Sequence, residues 1–361
     1  MERMFDPEIW RAVTGGAVAE RVRRLTRVTP LVPAPALGRR SGADVWLKLE
    51  NLQRTGSFKI RGAYVRIARL SDEERSRGVV AASAGNHAQG VALAAHLLGA
   101  RATVFMPEGA ALPKVTATQA YGAEVRLVGA TIEQSLVAAE ALASETGAAF
   151  IHPFNHPDVI AGQGTVGLEI AEHLPDVRTV VVSAGGGGIA SGIAVGAPGD
   201  VTFAHMQQLV DDVVVVSEES LARAMVHCLE RAKLVVEPAG AAGVAALMDG
   251  LEVEAPVAVV LSGGNVDPLL LDKLIRRGLV AAGRYLSLHV AVPDVPGSLA
   301  RLLEVLAKTG ANVLDVEHLR TEADLALDHV DVGLRLETRG PAHCDAVMAA
   351  ITAAGWQPRL S

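Results

Sequence analysis

Short apolar runs recur along the chain, each handing over to an alanine-rich stretch with helical spacing. "VWLKLE" (45–50) precedes a pattern of Ala63, Ile67 and Leu70; "GVVAA" (78–82) precedes "SAGNHAQGVALAAHLLGA", where Ala88, Val91, Ala92, Ala95 and Leu98 share one face. "ATVFMP", "EVRLVG", "FIHPF", "TVVVSAGGGG", "DVVVVS" and "VAVVLSGGN" continue the alternation. Strands that are apolar throughout and spaced by helices predict parallel sheets covered on both faces, an α/β architecture. Two such series, before and after about residue 150, predict two lobes. Ligands on sheets of this kind sit at the carboxyl ends of the strands. Four loops expected there are rich in glycine or serine: around Gly56, at Ser83–Asn86, at Gly185–Gly188 and at Ser262–Asn265.

The tail changes character. In "GRYLSLHVAVPDVPGSLARLLEVLAKTGANVLDVEHLR" a strand ends at Asp294 and Pro296 and Gly297 make a turn. An amphipathic helix then runs through Leu299, Leu302, Leu303 and Val305 to Gly310. Two strands, a helix near 341–354 and a last short segment complete βαββαβ, a separate small α+β domain over residues 285–361. Residues 1–284 form the larger domain, with its smaller lobe at about 45–150.

A formal charge of -7 without a Lys/Arg block argues against nucleic acid or an anionic membrane as partner. Only Cys228 and Cys344 occur, far apart and outside metal-ligand spacing, so two reduced thiols in a cytoplasmic protein are expected. No apolar run reaches membrane-spanning length and no signal-peptide pattern opens the chain, which predicts a soluble, unprocessed protein. Small molecules remain as targets.

Lys59, in "GSFKIRGA", stands at a helix start, where the macrodipole opposes a cation. It is either a solvated surface charge or, if buried, an amine with lowered pKa able to form a Schiff base. "TVVVSAGGGGIASG" offers successive backbone N–H groups that suit a phosphate. It also fits G-x-G-x-x-G/A loosely, so a nicotinamide-dependent dehydrogenase is a further reading. Against it, Pro198 and Gly199 cut the following helix short. "SAGNH" is either a carboxylate-binding loop or an ordinary helix cap, and "LSGGN" by itself is a turn.

Taken together, these motifs resemble those of the threonine dehydratases (threonine ammonia-lyases), pyridoxal-phosphate enzymes of the two-lobed tryptophan-synthase-β fold, or fold type II. The resemblance runs through "KLENLQRTGSFKIRGA", "SAGNHAQGVA", "HPFN" with "VIAGQGT", "GGGG", "QLVDDVVVVSEE", "ERAKLVVEPAGAA" and "LSGGN". It implies that Lys59 bonds the aldehyde of pyridoxal 5'-phosphate and Phe58 stacks on its ring. By the same resemblance Asn86 bonds the 3-hydroxyl, Gly185, Gly186, Gly187 and Gly188 cradle the phosphate, and Ser262 faces the ring nitrogen. Ser83, Ala84, Gly85, Asn86 and His87 lie on the loop resembling the substrate-carboxylate clamp, with His87 read as a structural helix residue. Glu237 is expected to line the cleft or cap the next helix. His152, Asn155 and His156 fall in a segment resembling the cleft wall, and no metal is assigned. The implied reaction is β-elimination of water from L-threonine to give 2-oxobutanoate and ammonia, with L-serine to pyruvate as a further substrate, as in isoleucine biosynthesis. Ile60 and Arg61 differ from the "KDR" of cysteine and threonine synthases, and Ala84 replaces the second serine of serine racemases. The tail resembles a single ACT domain, an amino-acid-sensing module, with "VPDVPGSL" and "GANVLDV" as signatures. It implies a homo-oligomer, dimer or tetramer, and an amino-acid effector near Asn312.

Between Gly188 and "DDVVVVS" the chain offers only "IASGIAVGAPGDVTFAHMQQLV", too short for the helix, strand and helical passage expected there. An internal deletion is therefore expected, and with it a second reading: an impaired form surviving as an amino-acid-binding or oligomerising protein.

Overall fold

The computed structural model of the protein describes residues 17–184, 200–319, 326 and 328–361. Its contacts divide the chain into two compact units, Met1–Leu270 and Leu271–Ser361. This division lies ahead of the 284/285 boundary expected from sequence, since most of the helix Pro268–Ala281 falls in the second unit.

The first unit holds two four-stranded sheets. Strands β1 to β8 are Leu31–Pro33, Val45–Lys48, Val79–Ala82, Ala102–Met106, Glu124–Leu127, Ala149–Phe150, Thr179–Val181 and Val257–Val260. One sheet has the order β5-β4-β3-β6 and is wholly parallel. The other has the order β1-β2-β8-β7, parallel except for β1. Strands β3 and β8 are buried at all four positions, as strands apolar on both faces require. Strand β2 falls within the 45–150 segment expected to form the smaller lobe, yet it pairs with β8 in the other sheet. A parallel partner is joined through a long crossover, so nothing local in "VWLK" marks which strand it will meet.

"DVVVVS" was also expected as a strand. Residues 212–217 form none: Val213 is 60% and Val215 96% exposed, and the next helix starts at Glu218. Among the described residues β7 is the last strand of its sheet, with Val180 and Val182 exposed beside it. A valine run becomes a strand only where a neighbour supplies partners for its N–H and C=O groups, and the described residues supply none there.

Lys59 opens the helix Lys59–Ala68, which is buried along most of its length. Ile60, Ala63 and Ile67 from that helix share a core with Val79, Ala81, Val91, Val104 and Met106. Its opposite side meets the helix Pro157–His173 at two glycines. A Cβ on Gly162 would stand 2.6 Å from both the Arg61 carbonyl oxygen and Gly62 Cα. Backbone atoms yield little, so Gly162→Ala is expected to push the helices apart and lower stability by about 1–3 kcal/mol, read as a reduced thermal midpoint.

After the helix Pro268–Ala281 the second unit runs in the order β, α, β, β, α, β: β9 Tyr285–Pro293, helix Ser298–Thr309, β10 Asn312–Leu319, β11 His329–Glu337, helix Pro341–Ala353 and β12 Pro358–Leu360. Its antiparallel sheet runs β10-β11-β9-β12. Period-2 alternation puts Leu286, Leu288, Val290 and Val292 into one core with Leu302, Leu306, Val347 and Ile351 of the helices. Gly310, at φ +76°, ends the first helix in the left-handed conformation. Among the described residues no helix is long and apolar enough to cross a membrane.

Candidate active site

Three of the four glycine- and serine-rich loops come together in the first unit, and main-chain bonds hold them. Ser57 makes an isolated antiparallel bridge with Gly263. Phe58 N–H donates to the Ser262 carbonyl at 3.2 Å, and Gly264 N–H donates to the Gly56 carbonyl at 2.9 Å. Asn265 Nδ2 donates to the Thr55 carbonyl at 2.6 Å and to Asn86 Oδ1 at 2.7 Å, which ties in the loop at 83–86. Gly56 has φ +69°, and a Cβ there would stand 2.4 Å from Asn265 Oδ1, so only glycine fits. The fourth loop, Gly185–Gly188, lies outside the described residues.

Lys59 is only 1% exposed, so the surface-charge reading fails. Its Nζ donates to the Pro153 carbonyl at 2.9 Å and stands 5.1 Å from the centre of the Phe58 ring. Burial pushes its pKa from 10.5 to about 7, against the pull of the negative charge of Glu237. At neutral pH a large fraction of this amine is therefore unprotonated and nucleophilic.

Two uncharged imidazoles belong to the same region. Burial, reinforced by the charge of Lys59, pushes His87 down to about 3 and His152 to about 4. His87 Nε2 lies 2.8 Å from the Ile151 carbonyl and so carries the proton, leaving Nδ1 buried without a partner. His152 Nδ1 accepts from Asn155 N–H at 2.8 Å, and His156 Nδ1 accepts from Asp158 N–H at 3.1 Å. Each ring thus has one nitrogen committed to the main chain.

The loop before the helix Asn86–Leu97 is half-buried from Ser83 to Asn86. Ser83 Oγ accepts from Gly85 N–H at 3.2 Å, and a Cβ on Gly85 would meet nothing within 4 Å. The loop therefore borders open space with a backbone able to approach a bound group. Ser262 is 2% exposed at the end of β8. Among the described residues the hydroxyls of Thr55 and Ser57 have no partner and are buried, a condition expected of groups that await a ligand. Sequence reasoning left open whether Glu237 lines the cleft or caps the next helix. Although it precedes the helix Pro238–Met248, its side chain caps nothing there; instead Glu237 Oε1 accepts from Asn86 Nδ2 at 2.6 Å. Burial raises this carboxyl, against the opposing influence of the Asn86 bond, Lys114 and Lys59. Asn265 and the Pro153 carbonyl were not foreseen as parts of the site. "LSGGN" and "HPFN" drew attention to their segments, but no residue pattern announces a side-chain amide clamp or a carbonyl acceptor.

Residues 22–197 and 189–263 match the sequence family described as pyridoxal-phosphate dependent enzyme. The L-threonine ammonia-lyase of Thermotoga maritima is 44% identical over 386 aligned positions, covering 94% of this chain and 96% of that relative. Among solved structures, the processed form of threonine deaminase isoform 2 from Solanum lycopersicum superposes with a TM-score of 0.71 at 29% identity, over 76% of this chain and 89% of that one. Maize serine racemase gives a TM-score of 0.67 at 32% identity, over 74% and 97%. A buried lysine of depressed pKa, clasped between a serine–glycine strand end and an asparagine-bearing helix start, agrees with these likenesses. The chain belongs to the pyridoxal-phosphate dependent enzymes.

Proposed function

We propose that this protein deaminates L-threonine to 2-oxobutanoate and ammonia, and L-serine to pyruvate and ammonia, by β-elimination of water. The single observation carrying this reading is the Lys59 amine, buried and brought to a pKa of about 7 between Phe58 and the Pro153 carbonyl. Pyridoxal 5'-phosphate fits the residues present. Lys59 offers the amine for its aldehyde, Phe58 an apolar face, and Asn86 an amide for its ring oxygen. Ser262 offers a neutral hydroxyl for its ring nitrogen, while the Ser57 hydroxyl is buried with no partner among the described residues. Gly185, Gly186, Gly187 and Gly188, proposed for the phosphate, lie outside the described residues. When bound, the cofactor supplies an electrophilic aldehyde and a conjugated ring that accepts the electron pair left at Cα.

The chain's own residues do the rest. Lys59, poised between its charged and neutral forms, takes the Cα proton. The Ser83–His87 loop, with its open approach at Gly85, holds the substrate carboxylate. His87 stays neutral and bonded to Ile151, so it orients the loop without exchanging protons near neutral pH. Loss of the β-hydroxyl as water leaves a 2-aminoalkenoate, whose hydrolysis releases the 2-oxo acid and ammonia.

The second unit is proposed as an ACT domain, supported by its βαββαβ order and by "VPDVPGSL" and "GANVLDV". It is proposed to pair with another copy and to take a branched amino acid near Asn312. A shortening of the chain between Gly188 and Asp212 is likewise proposed. The family match falls into two pieces meeting at 189–197, and the 386-position alignment exceeds the 361 residues of this chain. Exposed Val180, Val182 and Val213–Val215 favour the second reading, an impaired form surviving as an amino-acid-binding or oligomerising protein. The test is release of 2-oxobutanoate from threonine by purified protein, with and without isoleucine. Release that isoleucine lowers is the expected result. Cofactor binding without release assigns the chain to the second reading, and absence of both defeats the enzyme proposal.

A further inference from the structure

Glu237 lies outside the roles assigned above, yet it closes a chain of side-chain amides with a defined direction. The chain begins at the Thr55 carbonyl, which only accepts, so the Asn265 group facing it at 2.6 Å must be Nδ2. The same nitrogen reaches Asn86 at 2.7 Å, so the Asn86 atom there must be Oδ1. Asn86 Nδ2 consequently points the other way, where Glu237 Oε1 accepts at 2.6 Å. An acceptor stands at each end and two amides stand between, so neither amide is free to flip.

Two glycines make room for it. A Cβ on Gly263 would stand 2.3 Å from Glu237 Oε1 and 3.0 Å from Asn86 Nδ2; one on Gly56 would stand 2.4 Å from Asn265 Oδ1. The Gly263 carbonyl also accepts from Glu237 N–H at 3.0 Å, fixing the carboxylate's own main chain. The network can close only against bare backbone at both points. That is more than a half-buried glutamate needs if it merely fills space.

Resting on the reading that Asn86 bonds the cofactor's ring oxygen, we propose that Glu237 is a positioning residue that acts through Asn86. It accepts one Nδ2 hydrogen and thereby fixes the amide so that the other is offered to that oxygen. Without Glu237 the Asn86 amide is held only at Oδ1, by Asn265 Nδ2, and its own Nδ2 hydrogens lose the acceptor that aims them. The role asks for an acceptor at residue 237, not for a proton donor or a net charge.

The experiment compares Glu237→Leu and Glu237→Gln with the native protein, each also in an Asn86→Ala background. Pyridoxal 5'-phosphate is titrated through the visible absorption band, and thermal midpoints are taken without cofactor. E237L is expected to weaken cofactor binding about tenfold or more and to move the band. E237Q, whose amide oxygen still accepts from Nδ2, is expected to recover binding to within about threefold of native. In the N86A background E237L is expected to change nothing further, since its effect passes through the missing amide. Unchanged binding in E237L, equal damage in E237Q and E237L, or additive effects with N86A would each overturn the proposal. A native protein that shows no band defeats the functional reading instead. The proposal is then decided by the cofactor-free midpoints, where N86A and E237L must be non-additive for it to stand.

Discussion

Lys59→Ala is expected to abolish the visible absorption of lysine-bound cofactor and to cut 2-oxobutanoate release by roughly 100- to 10,000-fold. The His87 and His152 rings do not replace this amine: burial keeps both neutral at the working pH, and neither is an amine. A second, thermodynamic signature separates Lys59 from an ordinary lysine. Its folded pKa of about 7 lies below the unfolded 10.5, so between those values the unfolded chain binds the proton more tightly. Stability of the cofactor-free protein therefore rises as pH climbs from about 7 to 10.5, by roughly 1.4 kcal/mol for each unit of pKa shift. Lys59→Met, which keeps the volume and loses the proton, should flatten that rise in pH-dependent denaturant melts. A band retained in the alanine variant, or identical pH profiles for native and methionine proteins, would remove Lys59 from the chemistry.

The second large effect is structural. Beneath the lysine helix four charged side chains, Lys48, Glu50, Arg61 and Glu169, lie together at no more than 1% exposure. Arg61 donates to Glu50 Oε2 at 2.8 Å and Oε1 at 2.7 Å, and to Glu169 at 2.7 and 2.9 Å. Lys48 Nζ donates to Glu169 at 2.5 Å and to the Thr29 carbonyl at 2.7 Å. Two cations meet two anions, and almost every hydrogen finds an acceptor. Burial works to raise the Glu169 carboxyl, yet its bonds to Arg61 and Lys48 prevail and hold it below the usual carboxylate range. Removing one member leaves an uncompensated charge in the interior, so Glu169→Leu is expected to lose about 3–5 kcal/mol. That is a large part of a domain's roughly 5–15 kcal/mol. Adding Lys48→Met should restore most of it, because the charges again balance. Because the folded pKa of Glu169 lies below its unfolded 4.5, the stabilisation is complete above that value and is lost as pH falls further. A Glu169→Leu protein that melts like the native one would show that the four charges contribute nothing net.

Much of this was legible in the residues. The apolar runs at 79–82, 102–106 and 257–260 became strands because their valines and alanines satisfy two buried faces at once. The tail's period-2 leucines and valines sorted themselves onto a single face. Lys59, Asn86 and Ser262 came together because strand ends of parallel sheets converge on one edge. Partnership was not legible. Nothing in "VWLK" names β8, and nothing in "VEPAGA" shows that Glu237 turns away from its own helix toward Asn86. Nothing in the sequence around Lys48 or Glu169 marks them as buried, since burial of a charge depends on partners distant in sequence. "DVVVVS" misled for the converse reason: its composition suits a strand, but strand formation needs a neighbour that composition does not encode.

The pairing of β2 with β8 sets a schedule on the ribosome. The strand leading into the lysine helix emerges early, but its parallel neighbour follows about 200 residues later, some 10–40 s at typical elongation rates. During that interval β2 lacks its parallel partner, and residues 56–58 lack the contacts with residues 262–264 that complete the lysine's surroundings. Catalytic competence arrives only when the translated message reaches "VAVVLSGGN".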